Sequence, residues 1–137
     1  MGTLFVVATP IGNLKDITLR AIETLRTVDL IVCEDSRLTG NLLHHLEIKN
    51  EMFVLNDVNE ENKIYEIIEK LTSGKRIALV SDAGTPLISD PGFKLVRECA
   101  KHNISVIPLP GASSVITALS ASGLPTDKFL FLGYSPE

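Results

Sequence analysis

Several things are scarce in this chain of 137 residues: it has no tryptophan, 5% aromatic residues and two cysteines. Cys33 and Cys99 stand alone, at neither zinc-ligand spacing nor the density of a disulfide framework, so both are expected to be reduced core residues. No stretch approaches the roughly 18 apolar residues of a membrane helix. Met1–Pro10 lacks a basic segment followed by a long apolar run and a small-residue cleavage site. A cytoplasmic protein without a membrane partner is the default expectation. Positive charge is also short: 13 Lys and Arg against 17 Asp and Glu leave a net charge of −4, which argues against broad binding to a phosphate backbone. A P-loop, a spaced glycine triplet, internal repeats and low-complexity tracts are all missing. What remains, at 45% hydrophobic residues, is enough apolar material for one globular domain with a sizeable core.

Apolar runs and breaker-rich loops alternate along that domain. Leu4–Ala8, Asp29–Cys33, Met52–Leu55, Ile77–Val80 and Ser105–Leu109 predict strands, and Phe129–Gly133 predicts a sixth. Asp16 is the expected N-cap of a helix with Ile17, Leu19, Ile22, Leu25 and Val28 on its apolar face. Further helices are expected through Leu38–Leu46, and through Ile64, Ile67, Ile68 and Leu71, the latter capped near Asn59 and closed by Gly74. Another runs through Phe93–Ala100 behind an Asp90 cap with Pro91 in its first turn, and a small-residue helix spans Val115 to about Ser122. The pattern implies an α/β three-layer sandwich around a mainly parallel sheet of five to six strands.

Unusual chemistry collects in the loops after strands one, two, four and five, which a parallel sheet gathers at one edge. In Ser81–Gly92, small, polar and rigid residues allow backbone N–H groups to face an anion or an adenosine-like ligand, with Asp82 or Asp90 accepting from a ligand amine or hydroxyl. Two turn-capping aspartates are the bland alternative, and a Mg²⁺ site would need ligands that the neighbouring sequence lacks. Pro110–Ser114 is either a capped strand-to-helix turn or a ligand contact at a helix N-terminus. Glu34, Asp35 and Arg37 form either a surface ion-pair cluster or a substrate contact in which a carboxylate acts as general base toward a hydroxyl. Glu34 also lies where a dinucleotide-dependent oxidoreductase would hold a ribose, but Gly12 stands alone in the preceding loop. His44, His45 and His102 have no partners at metal spacing and are expected at the surface.

Val7–Thr18, Glu34–Arg37, Leu79–Gly92, Pro108–Ser114 and Ser122–Asp127 together resemble one family over nearly the whole chain. It is the N-terminal domain of the 16S ribosomal RNA cytidine 2′-O-ribose methyltransferases, within the tetrapyrrole (corrin/porphyrin) methylase superfamily. The resemblance implies S-adenosylmethionine as cofactor, 16S ribosomal RNA of the small subunit as partner, and a homodimer with two domains per chain. It places residues 1–133 in the first domain and residues 134–137 at the start of a connection to a second. By the same resemblance Ile11, Asp82, Ala83, Gly84, Thr85, Ser113 and Ser114 meet the cofactor; Glu34 and Asp35 are candidate bases, and Arg37 a candidate substrate contact, by their place at the site edge alone. Ser81-Asp-Ala83 stands where tetrapyrrole methylases usually carry Gly-Asp-Pro, so Asp82 transfers more securely than the residues after it. A tetrapyrrole methylase and a dinucleotide-dependent oxidoreductase are the alternatives.

Overall fold

A computed structural model describes residues 1–58, 60–89 and 92–135. Five strands, β1 (Thr3–Val7), β2 (Leu30–Cys33), β3 (Met52–Val54), β4 (Arg76–Leu79) and β5 (Ser105–Leu109), form one sheet in the order β3-β2-β4-β1-β5. Every pairing is parallel, which is why these strands are nearly continuous apolar runs rather than alternating ones. Successive side chains point to opposite faces, so each run feeds two cores. Leu4, Leu30, Val32, Ile77 and Leu79 pack beneath α3 (Glu60–Thr72) and α4 (Phe93–Lys101). On the other face Val7, Ile31, Cys33, Ala78 and Val80 pack against α1 (Leu19–Thr27) and α2 (Ser36–His45). Both cysteines are free and buried, and burial pushes the Cys99 thiol up to about 11.

Local chemistry explains where these helices begin and end. Thr18, not Asp16, caps α1: its hydroxyl accepts from the Ala21 N–H at 3.0 Å, while Leu14–Asp16 closes a 3-10 turn opened by Asn13. That shift turns the helix, so Leu19 is 86% exposed and Ala21, Thr24 and Leu25 carry the buried face. In α3 the expected face of Ile64, Ile67, Ile68 and Leu71 is buried, and Gly74 follows the helix end in the left-handed region at φ 104°. Gly92 stands at the N-cap of α4, whereas Asn59, Asp90 and Pro91, the residues expected to cap or start α3 and α4, lie outside the described residues.

One expected strand is missing. Residues 129–133 pair with nothing among the described residues, and Phe129, Leu130, Phe131, Leu132 and Tyr134 are all exposed. The last helix, α5 (Ser114–Ala121), buries none of its residues either. Residues 104–126 contain no Asp, Glu, Lys or Arg, so this end of the molecule joins an uncharged sequence to an open apolar surface.

The two sides of the α1 and α3 assignments are testable by denaturation. Ile67→Ala is expected to cost about 2–5 kcal/mol, read as a lower urea midpoint, whereas Leu19→Ala should stay within about 0.5 kcal/mol of the parent. A large effect at Leu19 would mean that it packs in the core after all.

Candidate functional site

The candidate site lies where β1 and β4, far apart in the chain, become neighbours in the sheet. β1 and β4 are neighbours, yet the helix after β1 lies on one face and the helix after β4 on the other. Their loops therefore part at the carboxyl ends of the strands and leave a crevice, the general binding position of open α/β sheets. A short antiparallel bridge spans it: the Thr9 N–H donates to the Gly84 carbonyl at 3.0 Å, and the Gly84 N–H donates to the Thr9 carbonyl at 3.1 Å. Gly84 sits at φ 78°, and a Cβ there would approach Ile11 Cγ2 to 3.3 Å, so glycine answers both a left-handed backbone and a close neighbour.

Buried hydroxyls tie the loop down from beneath. Ser81 Oγ donates to the carbonyls of Ala83 at 3.1 Å and Gly84 at 3.3 Å, and Thr9 Oγ1 reaches the Ser81 carbonyl at 3.5 Å. Pro86 is fully buried, while Leu87 and Ser89 hold positive φ of 77° and 59°. Non-glycine residues rarely occupy that region, and such backbone clusters at binding sites. The loop after β5 comes closer still: a Cβ on Gly111 would lie 2.5 Å from Ala8 Cβ.

These contacts enclose a cavity of about 230 Å³ lined by Ile11, Ala83, Gly84, Thr85, Ile88, Ala112, Ser113, Ser114 and Val115. Six residues that the family resemblance placed in a cofactor site, Ile11, Ala83, Gly84, Thr85, Ser113 and Ser114, thus share one wall. Ser113 Oγ caps α5 by accepting from the Ile116 N–H at 3.4 Å, which leaves the first-turn N–H groups at the cavity rim. Ile88, Ala112 and Val115 were not foreseen, because ordinary small and apolar side chains carry no signal beyond their position beside residues that do.

Asp82 lies on the other side of the loop. It lines a second, wider opening of about 530 Å³ with Glu34, Asp35, Ser36, Val54, Asn56, Asp57 and Val58. The edge therefore divides into an apolar and hydroxyl-lined compartment and an acidic one. Asp35 is the N-cap of α2, accepting from the Arg37 N–H at 2.9 Å, and Arg37 Nη2 pairs with its other oxygen at 3.3 Å. The Arg37 side chain, and after it the backbone N–H, hold the Asp35 carboxyl below the ordinary carboxylate range. Among the described residues no three His, Cys, Asp or Glu side chains gather as metal ligands would, and no helix is long and apolar enough to cross a membrane.

The chain belongs to the tetrapyrrole (corrin/porphyrin) methylases, whose family profile matches residues 3–131. It is similar to the ribosomal RNA small subunit methyltransferase I of Haemophilus influenzae, with 58% identity over 135 residues, covering 98% of this chain and 48% of that protein. The chain spans about half the length of the curated relatives it matches. Among solved structures, the uroporphyrin-III C-methyltransferase of Thermus thermophilus superposes with a TM-score of 0.67 at 25% identity, covering 91% of this chain and 53% of that one. A structure of that enzyme complexed with S-adenosylhomocysteine also gives 0.67, at 23% identity, covering 96% and 57%. Family membership removes the dinucleotide-dependent oxidoreductase alternative.

Two outcomes follow from this geometry. Gly84→Ala is expected to lose about 1–3 kcal/mol of stability through its left-handed backbone, measured by urea denaturation. Because the folded Asp35 carboxyl is depressed, its ion pair stabilises the fold above the ordinary carboxylate value of about 3.9, and that contribution disappears as pH falls through the lower folded value. The stability difference between wild type and Asp35→Asn should therefore be present at neutral pH and vanish in acid, whereas a pH-independent difference would deny the pairing.

Proposed function

We propose that the complete protein is a cytoplasmic, S-adenosylmethionine-dependent methyltransferase that acts on the ribose 2′-hydroxyl of a cytidine in 16S ribosomal RNA of the small subunit. The observation that carries this is the 58% identity to a ribosomal RNA small subunit methyltransferase I across 98% of the chain. The cavity supports it. Ile11, Ile88 and Val115 offer apolar walls for an adenosine or thioether, and the backbone at Gly84 and Thr85 with the hydroxyl-bearing turn at Ser113 and Ser114 offers polar contacts. These residues fit S-adenosylmethionine, whose bound form supplies a methyl group on a sulfonium, ready to move in line while sulfur keeps the bonding electron pair.

What this chain adds is placement and proton acceptance. Rigid loops hold reactants in line, which carries much of the rate in such a transfer. Glu34 and Asp35 border the adjoining acidic opening, where either can take the proton that a 2′-hydroxyl releases as its oxygen bonds to carbon. Residues 1–133 then serve as the N-terminal cofactor- and substrate-binding domain, and residues 134–137 begin the connection to a second. The relatives' greater length, with the exposed apolar face of α5 and Phe129–Tyr134, supports closure by that second domain and by the partner copy of a homodimer. A tetrapyrrole substrate is the second reading, favoured by the likeness to the Thermus enzyme.

Labelled methyl transfer decides between them. The complete protein, incubated with unmodified small ribosomal subunits and methyl-labelled S-adenosylmethionine, is expected to place label on a ribose, making one phosphodiester resistant to alkali. Label in a base, or in uroporphyrinogen alone, would sink the ribose assignment. Whichever of Glu34→Gln and Asp35→Asn removes the base should lower kcat by about 10²–10⁴-fold with S-adenosylhomocysteine affinity intact. A loss confined to that affinity would instead make the residue a cofactor contact.

A further inference from the structure

Arg37 is committed to Asp35 by contacts that are easily given up. Its side chain is 89% exposed, and its bonds to the carboxylate, Nε to Oδ1 at 3.4 Å and Nη2 to Oδ2 at 3.3 Å, are longer than the roughly 2.7–2.9 Å of a strong charge-assisted pair. Exposed pairs of this kind hold weakly. Asp35 has a second attachment that does not depend on the guanidinium, since its carboxylate also caps α2 through the Arg37 N–H at 2.9 Å. The guanidinium can therefore leave without unseating the carboxylate or fraying the helix. Through Asp35 it is attached to an opening whose charged lining, Glu34, Asp35, Asp57 and Asp82, is wholly acidic, so a polyanion entering it meets repulsion from the lining and attraction from the Arg37 guanidinium paired to it.

Resting on the ribosomal RNA reading above, we propose that Arg37 is an exchangeable clamp: it passes from Asp35 to a phosphate of the bound RNA strand, and Asp35 loses its cation only when substrate is in place. A guanidinium matches phosphate with two parallel donors, a stronger arrangement than the one it leaves. With the guanidinium gone, the contact that holds the Asp35 carboxyl down is removed, and the charged side chains that share the opening with it, Glu34, Asp57 and Asp82, supply no replacement cation. The carboxylate thus becomes a better proton acceptor at the moment a ribose hydroxyl is beside it. In the unliganded protein it stays a weak base, spoken for by its neighbour.

Competition of this kind has a signature in equilibrium binding, independent of turnover. Binding of unmodified 16S ribosomal RNA to the complete protein would be titrated against salt for wild type, Arg37→Gln, Asp35→Asn, Glu34→Gln, Asp57→Asn and the Asp35→Asn/Arg37→Gln double variant. Asparagine caps a helix as well as aspartate, so the fold is preserved in the Asp35 variant. Arg37→Gln is expected to weaken RNA binding roughly tenfold and to reduce the salt slope by about 0.7, with S-adenosylhomocysteine affinity unchanged. Asp35→Asn should tighten binding by about threefold more than Glu34→Gln or Asp57→Asn, and the excess should vanish in the double variant. Equal tightening in all three acidic variants, an excess that survives without Arg37, or a loss of S-adenosylhomocysteine affinity in place of RNA affinity would overturn the exchange. A wild-type protein that binds this RNA yet never methylates ribosomal RNA would instead overturn the functional reading beneath it.

Discussion

Two backbone hydrogen bonds between Thr9 and Gly84 hold the arrangement of the whole carboxyl edge. They join the loops of two adjacent strands whose helices depart to opposite faces, at the one place where the sheet would otherwise open. Thr9 is 2% exposed and Ser81 4%, so both polar side chains are buried, and each has a partner there. An unpaired buried hydroxyl is costly, so these bonds fix the loop in one conformation. The positive φ at Leu87 and Ser89 survives because its surroundings are so constrained.

That stapled loop has two sides, and the division of labour follows from them. Ala83, Gly84 and Thr85 turn toward Ile11 and the Ser113–Ser114 turn, while Asp82 borders the compartment of Glu34 and Asp35. One wall offers apolar side chains, backbone groups and hydroxyls. Its neighbour is suited to accepting protons and donor groups. A single short segment therefore sets the distance between the two compartments, as the proposed transfer between a bound donor and a bound acceptor would require.

Much of the fold was legible because parallel strands buried on both faces must be apolar throughout: Ile77–Val80 and Leu30–Cys33 announce themselves. Phe129–Gly133 has the same composition and is no strand among the described residues, because a strand is made by its partner and propensity does not supply one. The α1 cap was misplaced for a similar reason, since Asp16 and Thr18 are both good caps and only the 3-10 turn at Leu14–Asp16 decides between them. At the site, the crevice followed from topology and the residues on its wall from family resemblance. The separation of Asp82 from Ala83–Thr85 was not readable, because it depends on the direction in which Ser81 bonds the loop.

The position of β1 in the sheet has a consequence for the protein's synthesis. Among the described residues β1 pairs with β4 and β5, which begin at residues 76 and 105, so Leu4–Val7 leaves the ribosome before either partner. At about 5–20 residues per second, the interval before its last partner is translated amounts to roughly 5–20 s. Until β4 is made only β2 and β3 can pair, and the strand that will become the centre of the binding edge waits as an apolar, unpaired segment, to be captured first by β4 and then by β5. The crevice is consequently a late product of folding: its two walls meet only when chain made early is captured by chain made much later.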